Sequence, residues 1–444
     1  MSKLSVHIET FGCQMNVSDS ERVAAKLRAG GFELTDAVDS ADVILLNTCS
    51  IREKAEQKVF RRVSQIKLER AGKQPLVGVM GCVAQLEGES IFNSSPTVRL
   101  VAGTGATDRI PSLLERVKEG EAHVLDLGER EEGTDFDVSA AVRHSKHVAF
   151  VPIIEGCNKF CTYCIVPYSR GRERSRPAFE IVEEVKRLGA NGFKEIQLIG
   201  QNVNSYRPKS EKGLEGFAGA TPFSRLLRAV ASTGVPRIKF TTSFPRDFHA
   251  DIVKAIEEYE NLCNWVHLPV QSGNNRVLRA MRRGHKVEDY LEKVAAIKNS
   301  RRAISLTSDI IVGFPGETEE EFEDTLKLSE KSEFHGLYIF KYSKRRGTPA
   351  AKLDDDVSAD EKTRRFLDLE TLQMSIQSRI YKRYVGKVVE VLAEGLSARS
   401  ERDLTGHTTC NKVVNFAAET ETIGKVLKVL VTEAKAHSLF GQVV

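Results

Sequence analysis

Three strand-like runs near the start of the chain are each followed within two residues by a cysteine: VHIETFGC (6–13), VILLNTC (43–49) and VGVMGC (77–82). Cys13, Cys49 and Cys82 are thus spaced by 36 and 33 residues, about one strand plus one crossover helix. A parallel sheet returns successive strand ends to the same edge, so the spacing predicts an α/β domain over 1–127 with three thiols at the C-terminal ends of its strands. Helical patterns fill the gaps, SDSERVAAKLRAGG (18–31) and IREKAEQKVFRRVSQIKLERAG (51–72). Ser18 and Glu21 form an S-x-x-E capping box that predicts a helix start at Ser18, and Gly30-Gly31 predict its end. One buried cysteine is usually a small core residue. Three in register argue for a shared crevice.

The segment 128–147, GEREEGTDFDVSAAVRHSKH, is polar and without period, as expected of a linker. From 148 to 375 the β-then-α rhythm returns, with strands expected near 148–154, 195–200, 237–243, 265–271, 305–314 and 337–343. Six such units predict an open, partial (β/α)6 barrel, whose sites lie at the C-terminal ends of strands. A basic helical pattern over 359–385 leads into short strand-like runs punctuated by glycine, which predict a small β-barrel over 376–444.

Lys and Arg number 65 against 61 Asp and Glu, a net charge of +4 over 444 residues. No strong overall field exists, so a nucleic-acid contact would have to come from local basic patches. Met1-Ser2-Lys3-Leu4 runs into an alternating segment without an apolar signal core, and no apolar run reaches the length of a membrane span. The expectation is a cytoplasmic chain with no membrane partner. In a reducing compartment, clustered thiols bind metal or do redox chemistry in preference to forming disulfides.

The densest cluster is EGCNKFCTYCIVP (155–167), where Cys157, Cys161 and Cys164 form C-x3-C-x2-C directly after the first strand of the central domain. Three thiolates in one loop can converge on an iron–sulfur cluster. A closed zinc site wants four protein ligands, and no further Cys or His follows Cys164 within 25 positions. The pattern therefore suits a cluster with one iron left open; structural zinc and unliganded buried thiols are the alternatives. Cys263 and Cys410 stand alone and are expected to be packing residues. The ten His show no ligand spacing, and no catalytic acid or base is assigned.

C-x3-C-x2-C after a barrel strand, with Tyr163 before the third cysteine, resembles the signature of radical S-adenosylmethionine (SAM) enzymes. ETFGCQMNVSDSE (9–21), NTCSIREKAEQKV (47–59), GCNKFCTYCIVPYSRGRERSR (156–176) and TGHTTCNKVVNF (405–416) make the whole chain similar to the methylthiotransferase family of that superfamily. The likeness follows the family's order: a methylthiotransferase domain, a radical SAM domain and a TRAM domain. It implies a 4Fe-4S cluster on Cys157, Cys161 and Cys164 that binds SAM at its open iron, and an auxiliary 4Fe-4S cluster on Cys13, Cys49 and Cys82. It implies one SAM as methyl donor and another as source of a 5′-deoxyadenosyl radical. The implied substrate is N6-isopentenyladenosine at position 37 of a tRNA anticodon loop, converted to its 2-methylthio derivative. An external electron donor and a sulfur source are implied as partners. Methylthiolation of threonylcarbamoyl-A37 tRNA or of ribosomal protein S12 stays open, as does a non-enzymatic RNA-binding module with structural metal.

Tyr163 in the cysteine loop is an expected SAM contact, and the others are expected at strand ends: Gly200, Gln201 and Asn202 after the second strand, Ser243 after the third, Gln271 after the fourth, and Val312 and Gly313 after the fifth. Gly and Ser there are also ordinary turn formers. Arg170, Arg172, Arg174 and Arg176 form a basic strip downstream of the cysteine loop, suited to phosphates and bases, although Glu173 could make it a solvated face. Lys412, with Lys425 and Lys428, is expected to add RNA affinity from the last barrel. His407, Asn274-Asn275, Lys344 and Arg346 depart from the family's pattern. GTGATD (103–108) lacks the lysine of a phosphate loop and is expected to be a turn.

Overall fold

The computed structural model describes residues 3–50, 53–69, 75–130, 138–398 and 400–444. The chain forms two compact units. The first comprises 1–145 with 155–158 and 164–174; the second comprises 146–154, 159–163 and 175–444. The stretch after residue 154 is thus divided between them. The expected linker 128–147 falls in part on 131–137, which lie outside the described residues.

In the first unit six parallel strands, β1 (Ser5–Phe11), β2 (Glu33–Leu34), β3 (Val43–Thr48), β4 (Leu76–Gly81), β5 (Val98–Ala102) and β6 (Val124–Asp126), lie in the order β2-β1-β3-β4-β5-β6. Every side chain of β3 is buried, and alternate residues feed opposite faces. Val43 and Leu45 join Val23, Leu27, Ile110 and Leu114 on one side. Ile44 and Leu46 join Val59, Val63 and Ile91 on the other. A strand sandwiched between two helix layers must be apolar throughout, which is why VILLN reads as a continuous run. The chain steps from β1 to β2 on one side and returns to β3 on the other, so the order reverses between β1 and β3, where such sheets open a crevice.

The first helix runs Gln14–Ala29 with Cys13 at its N-cap, not from Ser18. Ser18 and Glu21 lie buried inside it, and Glu21 accepts from the His144 N–H and from Arg143 instead of capping. The Ser18–Glu21 signature does not cap the helix; Asn16, at the third helical position, accepts from the Cys13 N–H instead.

The second unit carries β7 (Val148–Glu155) and β8 (Arg174–Ser175), apart from Glu155 and Arg174, and β9 (Glu195–Gly200), β10 (Arg237–Phe240), β11 (Trp265–His267), β12 (Ser305–Val312) and β13 (Gly336–Lys341). Hydrogen-bonded sheets run β10-β9-β7-β8 and β11-β12-β13. Ser243 N–H donates to the His267 carbonyl (3.1 Å) and Cys263 N–H to Ile238 (2.7 Å), so the two sheets continue as one open parallel barrel, β7-β9-β10-β11-β12-β13. Helix Ala359–Lys382 then leads to β14 (Val388–Ser397), β15 (Ser400–Thr408), β16 (Val413–Ala417), β17 (Val426–Ala434) and β18 (Leu439–Val443), a closed barrel in the order β14-β15-β16-β18-β17. Its interior, Val391, Leu404, Val414, Phe416, Val429 and Leu439, packs on Ile376, Ile380 and Tyr381 of that helix.

Candidate functional site

Three adjacent strands deliver the N-terminal cysteines. Phe11 pairs with Thr48 and Thr48 with Gly81, so Cys13, Cys49 and Cys82 follow β1, β3 and β4 at one sheet edge, beside the crevice. Their placement is fixed by two buried amides. Asn16 Nδ2 donates to Asn47 Oδ1 (3.0 Å) and to the Thr48 carbonyl (3.1 Å), and its Oδ1 accepts from the Cys13 N–H and thiol (both 3.3 Å). Asn47 Nδ2 donates to the Asn16 carbonyl (2.8 Å) and Ser20 Oγ (2.9 Å), and Thr48 Oγ1 donates to the Met80 carbonyl (2.8 Å). Gly81, at φ +94°, is required here: a Cβ would stand 2.4 Å from Asn47 Oδ1.

The environment favours a thiolate at Cys13. The Cys13 pKa is brought down to about 6, chiefly by its hydrogen bond with Cys49 and against the effect of burial, with help from the positive charge of Arg170. Arg170 donates to Asp19 Oδ2 (2.8 Å), with both side chains at most 5% exposed. Burial opposes its charge, but Asp19, Cys82, Cys13 and Glu155 hold its pKa well above the ordinary arginine value. Glu155 is likewise kept ionised against burial, by Arg130, Arg22 and Arg170. Arg22 also pairs with Asp108 (3.1 Å), and Arg130 donates to the Thr104 carbonyl and Thr107 Oγ1 (both 3.0 Å). The GTGATD stretch is therefore a turn held by arginine.

The C-x3-C-x2-C loop opens in the first unit. Gly156 takes φ +76°, where a Cβ would meet the Arg172 carbonyl at 2.2 Å, and Cys157 N–H donates to the Gly171 carbonyl (3.2 Å). Cys157 is buried and Cys164 partly exposed. Cys161 belongs to the second unit, where Arg283 Nη1 donates to its Sγ (3.4 Å). The next residue, Thr162, is tied by its N–H to Met281 O (3.1 Å) and by its hydroxyl to Ala280 O (2.9 Å). Lys159 pairs with Asp247 (2.6 Å), which also accepts from Ser205 (2.8 Å). Burial resists ionisation of Asp247, yet these hydrogen bonds keep its pKa below the usual carboxylate range.

At the strand ends of the second unit, Gln201 Oε1, Thr241 Oγ1 and Ser243 Oγ are buried without a hydrogen-bond partner. Thr242 between the last two has φ +71°, a strained conformation for a β-branched residue, of the kind found where backbone is held for function. Three such atoms at neighbouring strand ends offer hydrogen bonds to a bound ligand. The other expected contacts divide. Asn202 is buried at the start of the turn 203–205, and Gln271, at φ +82°, binds through its backbone to Asp309 and Ile311. Gly200 packs against Ile154, and Gly313 against Lys362 while its N–H donates to Glu317 (2.6 Å). Val312 is buried, and Tyr163 packs with Val277, Met281 and Phe314.

The basic residues separate as sharply. Arg172 and Arg174 are exposed. Arg170, Arg176 and Lys412 are not, and the expectation of an RNA contact is corrected for all three. Arg176 donates to Pro152 O and Glu184 (both 2.8 Å), and Lys412 Nζ donates to Ser305 Oγ (2.7 Å) at the start of β12. A run of arginines at alternate positions does not show which face a short β-segment turns inward. Arg283, Asn16, Asn47 and Thr241 were not singled out from sequence, since single Asn, Thr and Arg residues carry no periodic signal.

Among the described residues no three Cys, His, Asp or Glu side chains stand together as ligands of a single metal ion. No helix of the described residues is long and apolar enough to cross a membrane.

Profiles of known families match in chain order: Uncharacterized protein family UPF0004 over 5–103, the Radical SAM superfamily over 151–329 and the TRAM domain over 382–444. The chain is 45% identical over 444 residues to the tRNA-2-methylthio-N(6)-dimethylallyladenosine synthase of Koribacter versatilis (strain Ellin345), covering 99% of this chain and 98% of that one. It is 44% identical over 441 residues to the Bacillus subtilis (strain 168) synthase of the same name, covering 99% and 85%. Among solved structures, the radical SAM methyltransferase TsrM from Kitasatospora setae aligns with a TM-score of 0.57 at 13% identity, over 79% of this chain and 74% of that one. The cobalamin-dependent radical SAM enzyme OxsB aligns at 0.54 and 11%, over 84% and 58%. At such identities these two likenesses concern the fold alone. The full-length relatives, the three domain matches and the two cysteine sets lead to one assignment: the chain belongs to the tRNA-2-methylthio-N(6)-dimethylallyladenosine synthase family of radical SAM methylthiotransferases.

Proposed function

We infer that this chain converts N6-isopentenyladenosine at position 37 of tRNA to its 2-methylthio derivative. The observation that carries this is the 45% identity to a synthase of that name over 99% of the chain. The target C–H is aromatic and offers no acidic proton; a 4Fe-4S cluster with SAM, when bound, supplies the carbon radical that can take its hydrogen. The chain's own residues bind, orient and exclude water.

Cys157, Cys161 and Cys164 would hold that cluster, and the orphaned Gln201, Thr241 and Ser243 atoms would meet SAM. Cys13, Cys49 and Cys82 would hold a second 4Fe-4S cluster that carries the sulfur. The support is their common sheet edge and a Cys13 thiol that ionises near neutrality. Methyl donor and radical source would be separate SAM molecules. The exposed Arg172 and Arg174 would contact the anticodon loop, and the electron donor and sulfur source are external. We place the chain in the cytoplasm, with domains at 1–127, 148–375 and 376–444 joined by 128–147.

Nucleoside mass spectrometry of tRNA from a strain lacking the gene tests the substrate. The 2-methylthio nucleoside should disappear and the isopentenyl precursor accumulate; a change confined to threonylcarbamoyladenosine or to ribosomal protein S12 would reassign it. Cys157→Ala should abolish reductive SAM cleavage, while Cys13→Ala should leave cleavage measurable and stop methylthio transfer.

A further inference from the structure

Arg283 is held by its backbone and by both terminal nitrogens of its guanidinium. Helix Asn275–Ala280 ends in a Schellman turn: Arg282 N–H donates to Arg279 O and Arg283 N–H to Leu278 O (both 2.9 Å). The left-handed position belongs to Arg282, φ +55°, where glycine is usual. A non-glycine residue there costs about 1–2 kcal/mol, so the direction in which the chain leaves the helix is enforced by its surroundings. That direction carries the Arg283 side chain into the interior, with the residue 5% exposed. Its guanidinium donates from Nη2 to Pro269 O (2.6 Å), lies 4.5 Å from the Phe244 ring centroid, and directs Nη1 at Cys161 Sγ (3.4 Å), with Tyr163 Oη at 3.5 Å. The same helix end receives Thr162, so Cys161 and Arg283 are fixed by one turn of backbone.

We propose that Arg283 is a positioning residue for the 4Fe-4S cluster of the Cys157–Cys161–Cys164 loop, raising its reduction potential through an N–H bond to the Cys161 sulfur. The inference rests on that loop being the cluster's site. Reduction adds one negative charge, which spreads onto the ligand sulfurs. A fixed cation that donates to one of them in a buried setting favours the reduced state. Accepting one electron is what the reaction asks of this cluster. Arginine suits the task because its fork can hold Pro269 O with one nitrogen and the sulfur with another, and its charge is permanent.

The test uses the full-length chain with Cys13, Cys49 and Cys82 replaced by alanine, reconstituted with iron and sulfide without oxygen, so that only the loop cluster is observed. Iron content and an EPR-monitored redox titration are measured for this parent and for its Arg283→Met and Arg283→Lys variants. The expected result is equal iron content, a midpoint potential shifted negative by Arg283→Met, and a partial return with Arg283→Lys. An unshifted potential at full iron content overturns the proposal. Should Arg283→Met fail to load, Phe244→Leu removes the ring beneath the guanidinium without touching the cysteine. It should shift the potential in the same direction, and no shift overturns the proposal. A parent that binds no iron overturns the assignment of the loop itself.

Discussion

Asn16 and Asn47 exchange hydrogen bonds across the sheet edge that carries the N-terminal cysteines: the Asn16 amide donates to Asn47 Oδ1 at 3.0 Å, and the Asn47 amide donates to the Asn16 carbonyl at 2.8 Å. Both side chains are fully buried. Asn47→Ala removes both hydrogen bonds between the two residues and leaves the buried Asn16 amide one acceptor short, and an unsatisfied buried polar group costs about 1–3 kcal/mol. We expect a loss of about 2 kcal/mol by urea unfolding. Because Asn16 also caps Cys13, iron bound by the chain lacking Cys157, Cys161 and Cys164 should fall as well.

Two glycines separate strain from collision. Gly81 and Gly120 both have positive φ, +94° and +108°, but only Gly81 is enclosed; nothing stands within 4 Å of a Cβ at Gly120. Gly120→Ala should cost about 1–2 kcal/mol from backbone conformation alone. Gly81→Ala must in addition displace Asn47 or the β3 carbonyl, and its unfolding midpoint should lie clearly lower. Equal midpoints would show that the edge yields without cost.

Much of this edge was legible because periodicity and spacing are properties of the chain. VILLN had to be a central strand, and cysteines one βα unit apart had to share an edge once the sheet was parallel. Strand β9 matches its expected span, Glu195–Gly200. What escaped were features decided by packing. The first helix begins at Cys13 because Asn16 folds back on it, which no capping-box pattern records. Arg170 and Arg172 are identical in sequence terms and opposite in the fold, one paired with Asp19 in the interior and one exposed. Lys412 has the look of a nucleic-acid contact and serves to dock the last barrel onto Ser305.

His335 gives the second unit an acid sensitivity. Burial, assisted by the charge of Lys412, lowers its pKa to about 3, and its Nδ1 accepts from the Leu306 N–H (3.3 Å). Unfolded, the imidazole titrates near 6.5. Below that pH the unfolded chain binds the proton and the folded chain does not, so stability falls as pH drops from about 6.5 towards 3. From pH 7 to pH 5 this one residue should cost about 2 kcal/mol. His335→Asn, which keeps an acceptor and cannot titrate, should show a urea midpoint that falls less over that range. Parallel pH profiles for the two proteins would remove His335 as the cause.

Arg170 tests whether the basic strip is one surface or two environments. Its partner Asp19 is 3% exposed at 2.8 Å, and removing one member of a buried pair typically costs about 3–5 kcal/mol. Arg170→Ala should therefore lower the unfolding midpoint strongly. Arg172→Ala, at an exposed position, should leave the midpoint alone and weaken tRNA binding. Replacing both partners, Arg170→Met with Asp19→Leu, should recover much of the stability, because no uncompensated charge remains buried. It should not recover the thiolate. The charge that favours ionised Cys13 is gone in both variants, so alkylation of Cys13 at neutral pH in the iron-free chain should be slower than in the parent in each. Stability and thiol reactivity then move independently, which a purely structural arginine would not produce; restored reactivity in the double variant would reduce Arg170 to a partner for Asp19.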